Sequence, residues 1–467
     1  MSGGSAPPPG GLRGRASAAA GGGRIAVLAL GLSLAAAPLP LGSNRAVLWL
    51  GWAVLAGAGL ALLIAFRALP GARPALARPG LMAIPAVAAM LPIWGLVQIL
   101  PLMPDDAVRQ IAISLDPDTT LIAVFRHGAT LAVFFIALMA APARPERLVF
   151  ALFLAVAAYA LYGLAALFAL GDSAPWGAKT AYLGSATGPF INRNAFAAFL
   201  GLGLILGATR AARPETWRGV VDPVLVLAGL ATILAALFAT QSRMGTASSL
   251  VAAATALALS RSGGTGTSGA GGGGTGGAPR RPAPAGQGSM RLAAAGLALS
   301  VLAIGGLYGT GLAGRFLSGP RDLEIRAGIW QSAARLVAER PLTGFGLDSF
   351  ALAFPAARSA AAFDASSYAD AHSTYLENWA EAGLIFGSAP LVAGLLALSA
   401  LLGRWRRARG AARALPAAAL GALLLAALHS SVDFPFEMEA NLMLLVAILG
   451  LALAPDPGPD TTTPWRS

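Results

Sequence analysis

The stretch AHSTYLENWAEAGLIFG, residues 371–387, decides how the rest of the chain is read. Its polar residues (His372, Tyr375, Glu377 and Glu381) run straight into an apolar segment that continues to about Leu402. That is the pattern of a reactive rim at the mouth of a membrane helix, where an ionisable group is costly and so has a purpose. Thr374 reads as the N-cap of a helix with Glu377 at N3 of a capping box. His372 would then lie beside free backbone N–H groups at the positive end of the helix dipole. An imidazole there is suited to take a proton from a hydroxyl.

Outward from this stretch the chain is apolar. Of its 467 residues, 56% are hydrophobic and only 12% charged, against about 25% charged in a soluble domain. Runs of about 18 apolar residues recur, each long enough to cross a bilayer. The fold class is therefore all-α polytopic membrane protein, with about twelve spans. They fall near 24–42, 46–66, 80–100, 120–141, 147–170, 191–208, 221–240, 246–260, 291–309, 381–402, 414–430 and 436–454.

With the N-terminus inside, most arginines lie in inside loops, from Arg13, Arg15 and Arg24 to the cluster Arg404, Arg406, Arg407, Arg409 and Arg413. Of the acids, only Glu146, Glu215, Asp222, Asp456 and Asp460 do. Arginine bias in short loops sets orientation, so both termini are expected in the cytoplasm. The formal net charge of +12 is explained by the same bias, and no nucleic-acid partner is expected.

The organisation expected is a disordered cytoplasmic N-terminus (1–23), a first bundle of eight spans (24–260), and a Gly-rich cytoplasmic linker (261–290). A second bundle of four spans (291–455) encloses one large external loop (310–380), and a cytoplasmic tail follows (456–467). The linker, GGTGTSGAGGGGTGGAPRRPAPAG, cannot build a core. Within the large loop, Arg321 to Glu339 has helical periodicity that Pro341 ends. Residues 351–370 read as a mobile lid or irregular loop.

The chain has no cysteine, which excludes disulfides, thiolate nucleophiles and Cys-ligated metals. No HExxH motif is present, and no cofactor or obligatory metal is expected. Asp116 and Asp118 around Pro117 read as a solvated turn. Asp433, Glu437 and Glu439 surround the last external turn, where acids usually face a cavity.

Three arginines stand on the arginine-poor side: Arg193 in INRN, Arg243 in QSRMG and Arg326 in RDLEIRAGIW. A guanidinium fork matches phosphate oxygens bidentately, though an arginine at a membrane rim also snorkels, and acids such as Asp322 and Glu324 are possible partners. Asn192 and Asn194 read first as helix caps and second as sugar contacts. Trp330 and Trp379 suit interface anchoring and sugar stacking equally.

Six segments together resemble the O-antigen ligase family: TGPFINRNAFAAFL (187–200), SRMG (242–245), RAGIW (326–330), PLTGFGLDSF (341–350), HSTYLENWAEAGLIFG (372–387) and HSSVDFPFE (429–437). The resemblance implies a GT-C-like membrane enzyme of the bacterial inner membrane with a periplasmic active site. Its activity would be metal-independent, inverting transfer of a glycan from undecaprenyl diphosphate to a hydroxyl of lipid A–core. Carried over by motif, His372, Arg326 and Arg243 are the catalytic residues. Arg193, Asn192, Asn194, Tyr375, Glu377, Trp330 and Asp433 are assigned to substrate binding. The expected partners are the lipid-linked donor, lipid A–core or a growing glycan as acceptor, and membrane lipids. A polysaccharide polymerase is the nearest alternative, and a transporter the more distant one.

Overall fold

The computed structural model describes residues 25–67, 79–104, 110–140, 145–217, 219–262, 306, 319–358 and 370–455. The helices are α1 (Ile25–Ala36), α2 (Ala46–Arg67), α3 (Pro79–Gln98), α4 (Pro117–Ala140), α5 (Pro145–Phe168), α6 (Arg193–Ala211) and α7 (Val221–Ala239). They continue as α8 (Arg243–Arg261), α9 (Gly319–Glu339), α10 (Phe350–Ala357), α11 (Thr374–Gly387), α12 (Ala389–Arg407), α13 (Ala414–Ser430) and α14 (Glu439–Leu453). Two minimal strand pairs, Met103–Pro104 with Gln110–Ile111 and Ser173–Ala174 with Gly177–Ala178, lie in connecting loops.

Among the described residues seven helices are long and apolar enough to cross a membrane, and an eighth is added if the bent pair α11–α12 is one span. The chain is thus a predominantly helical, multi-pass membrane protein. Expected spans at 24–42 and 436–454 are represented by the shorter apolar helices α1 and α14. The expected span at 246–260 is α8, which carries Arg243, Thr246, Ser248 and Ser249 and is not among the seven. The expected span at 291–309 apart from residue 306, nearly all of the 261–290 linker and both chain ends lie outside the described residues.

The chain divides into two compact units. The first takes residues up to 149, 321–401 and from 430 onward; the second takes 150–320 and 402–429.

In the first unit α4 is the central helix, packed by α2, α3 and α14. Beside it α9, α10 and the start of α11 share an apolar core of Ile329, Ala333, Leu336, Phe345, Phe350, Phe354 and Ala380. The helix at 319–339 matches the periodicity of Arg321 to Glu339. Residues 350–357, by contrast, are helix α10 and not an irregular loop, because Phe350, Ala353 and Phe354 bury one face in that core. Residues 359–369 of the expected lid lie outside the described residues.

Helix α11 is broken at Gly383 (φ 73°) and meets α12 at 66°. The break frees carbonyls that must find new donors in an apolar setting. The turn after Pro341 supplies them: Phe345 N donates to Ala380 O at 3.1 Å and Gly346 N to Glu381 O at 2.9 Å. Leu384 N returns a bond to Pro341 O at 2.7 Å. Gln98 Nε2 clamps the joint, 2.8 Å from both Thr343 O and Glu381 O. A Cβ at Gly344 would stand 2.1 Å from Glu381 O, and one at Gly383 2.4 Å from Leu342 O. The glycines of PLTGFG and AEAG therefore allow two backbones to interlock.

In the second unit α6 is the most enclosed of the seven spans. Its glycines admit neighbours closely, as small residues do in membrane packing: Gly203 faces Val156, Gly207 faces Phe153, and Gly201 faces Ser249. Helices α6 and α8 run parallel and in step, since Ala197 meets Gly245 just as Gly201 meets Ser249. The opposite, basic end is tied by Arg213 to Ser260 O, Arg413 to Ser262 O, and Trp405 Nε1 to Leu259 O at 3.0 Å. These arginines, placed together by loop charge alone, do share one end of the unit.

Candidate functional site

His372 lies in the first unit at the turn into α11, with φ 50°. A non-glycine residue in the left-handed region is strained, and such strain persists where the surroundings over-determine it. Here they do. Trp330 Nε1 on α9 donates to His372 O at 3.3 Å. The imidazole leans on the Phe434 ring, centroids 5.2 Å apart. Its Nδ1 is 3.5 Å from Asp433 Oδ1.

Asp433 links histidine to arginine. Its Oδ1 also accepts from Phe434 N at 3.0 Å, and its Oδ2 is 3.6 Å from Arg326 Nη2. Arg326 Nη1 donates to Val432 O at 2.6 Å. The carboxylate is 3% exposed, while the His372 and Arg326 side chains are each 26% exposed. The pair expected to handle acceptor and phosphate is thus joined through one buried acid. With a proton on Nδ1 toward that acid, Nε2 would be the basic nitrogen. The fork of Arg326, expected on phosphate, is engaged with Asp433 and Val432 O.

The capping box is corrected. Ser373 is the N-cap, without a side-chain bond, and Thr374 is the first helical residue. Thr374 Oγ1 donates instead to Glu437 Oε1 at 3.1 Å. Glu377 reaches back further than expected, its Oε2 accepting from Ala371 N at 2.9 Å. It is buried, so this carboxyl, expected at the substrate, braces the His372 turn from inside. Tyr375, two residues earlier, is half-buried.

Carboxyl oxygens of Asp370, Glu377 and Glu437 lie within 4.8 Å of one another, close enough to share a cation. Glu437 also hydrogen-bonds Glu377, and two carboxyls at that range need a shared proton. Burial, then Asp370 beside it, pushes Glu437 up to about 8 against the pull of Arg126. Burial pushes Asp370 up to about 6, with His372 pulling the other way. Asp116, read as a solvated turn, caps α4 by accepting from Thr119 N at 3.1 Å and Thr119 Oγ1 at 2.7 Å. The Thr119 hydroxyl bond, before all else, holds its carboxyl below the usual range.

Arg243 and Arg193 belong to the second unit, each the first residue of its helix. Because α6 and α8 are in step, both arginines stand at one end beside two helix N-termini, where backbone and side chain alike favour an anion. Asn192 caps α6, its Oδ1 accepting from Asn194 N at 2.7 Å, and Ser242 caps α8 through Gly245 N at 3.2 Å. The capping reading of Asn192 holds. The Arg193 guanidinium also lies 5.2 Å over the Tyr182 ring.

Residues 228–389 match the family model described as O-antigen ligase. Over this stretch, about a third of the chain, the protein is similar to that family. The matched stretch contains Arg243, Arg326 and His372, while Arg193 and Asp433 fall on either side of it. No curated protein matches the chain. One buried charge escaped sequence reasoning: Arg126, in α4 of the first unit. Its signal was an Arg-His pair inside an otherwise apolar span.

Proposed function

We propose that the protein transfers a glycan from undecaprenyl diphosphate to a hydroxyl of lipid A–core at the outer face of the inner membrane. The observation that carries this is the strained, acid-backed His372 inside a matched O-antigen ligase domain. His372 Nε2 takes the acceptor proton as the hydroxyl attacks the anomeric carbon. Asp433 orients the ring and stabilises the imidazolium, and Arg326 holds Asp433. Arg243, with Arg193 beside it, binds the diphosphate and meets the charge that develops as it leaves. The hydroxyl oxygen gains the glycosyl bond, the lipid diphosphate departs with the bonding pair, and the proton rests on His372. The donor arrives activated, so this step consumes no nucleotide.

A strain lacking the gene tests the acceptor. Under this reading it accumulates long glycans on the lipid carrier, and complementation with the His372→Ala variant does not clear them. Single-repeat products in the deletion strain would assign the chain to polymerisation. Intact surface polysaccharide would remove it from the pathway altogether.

A further inference from the structure

We propose that Arg126 is a positioning residue for this reaction, the buried counter-charge that holds the His372-bearing segment 370–377 and the Asp433-bearing segment 432–439 in register. The proposal rests on the reading of His372 as the base.

Arg126 is buried inside α4, at 8% exposure. An arginine inside an apolar span is expensive and normally faces partners or a cavity. Its guanidinium lies 4.7 Å over the Trp49 ring of α2, which fixes its plane. Asp348, in the turn that interlocks with α11, is 4.0 Å from Nη1. The carboxyls that act on its charge are Asp348, Glu437 just ahead of α14, Glu439 at the first residue of α14, and Glu381 on α11. Asp370 feels it too, as does His127 next to it on α4.

Three of these acids are hydrogen-bonded in turn, one of them beside His372. Glu437 accepts from Thr374, two residues beyond the histidine. Glu439 Oε1 is 3.2 Å from Thr130 Oγ1, one turn along α4 on the same face as Arg126. Glu381 Oε1 accepts from Phe350 N at 3.0 Å and so anchors α10. One cation therefore faces four carboxyls that would otherwise repel one another in a low-dielectric layer. It does not touch the His372 ring; it works through Glu437 and Asp348.

The sign of the pH effect follows. Arg126 favours the ionised form of Glu437, opposed by Asp370 and Glu381. Without it, ionisation of these acids forces the segments apart, so the deficit of an Arg126→Met variant grows as pH rises from about 6 to about 8.5.

The test uses the full chain in detergent. Hydrogen exchange of residues 371–377, read without substrate at each pH, is expected to quicken about tenfold in Arg126→Met at pH 8.5 and about twofold at pH 6. In glycan transfer, kcat falls about tenfold while the donor KM stays within about twofold. Arg126→Lys, which keeps the charge, stays within about threefold of wild type, and adding Glu437→Gln to the Met variant restores part of the loss. Unchanged exchange, an equal loss in the Lys and Met variants, or a raised donor KM with kcat intact would overturn the proposal. If the Met variant does not fold, Glu437→Gln alone decides: protection at 371–377, corrected for the intrinsic base catalysis of exchange, must fall less between pH 6 and pH 8.5 than in wild type, and an equal fall refutes the role. Exchange reports positioning without chemistry, so a failure of His372 as base would appear only in the transfer assay.

Discussion

His372 and Asp433 behave as a unit, and their substitutions should show it. His372→Ala is expected to cost about 10²–10⁴-fold in kcat, the usual span for a general base, with donor KM little changed. Asp433→Asn keeps the shape, removes the charge that steadies the imidazolium, and lowers kcat at every pH. Arg326→Lys keeps the charge but loses the fork shared between Val432 O and Asp433, so it should follow Asp433→Asn. A rise in donor KM alone would instead place Arg326 on the diphosphate. His372, Arg326 and Arg243 could be singled out from the chain as candidates, the arginines because they stand on its arginine-poor side. The part played by Asp433 could not, since its partners are 61 and 107 positions away in sequence and only folding brings them together. Arg126 was read as part of a hydrophobic span because its compensating acids lie in other segments.

The joint between the 341–350 turn and α11 depends on two glycines. Gly383→Ala should destabilise by about 1–3 kcal/mol from its left-handed backbone alone, with a backbone clash added; thermal unfolding of the purified chain measures this. The 370–377 and 432–439 segments carry a second dependence, on pH. Asp370 and Glu437 titrate near 6 and 8 in the folded protein, above the roughly 4 of an unfolded carboxyl. The folded state then binds more protons, so stability is full below about pH 4 and declines as pH rises through about 8. Melting temperatures across that range should fall, and those of Glu437→Gln should fall less. Helix α9 and its end before Pro341 were legible from periodicity and a breaker. The start of α11 was misplaced by one residue because Thr374 prefers the Glu437 carboxyl to a cap. That competitor is invisible to a local rule.

The chain as a whole is a multi-pass helical protein whose hydropathy was easy to read and whose spans were harder to count. Window hydrophobicity does not distinguish a crossing helix from the bent α11–α12 pair, the short α14, or α8 with its hydroxyl-rich face. The basic end of the second unit was legible, because loop arginines gather on one side for reasons of charge alone. A reporter fused after Arg407 is expected to read cytoplasmic and one after Arg340 periplasmic; reversed readings would place His372 on the wrong side for a periplasmic acceptor.

The most direct measurement is glycan transfer by the purified full chain in liposomes, supplied with a lipid-diphosphate-linked glycan and a lipid A–core acceptor. Wild type should join the two and release the lipid diphosphate, while His372→Ala, folded and still binding donor, should leave both substrates unjoined. Equal turnover by the two proteins would contradict the assignment of the acid-backed imidazole as the base.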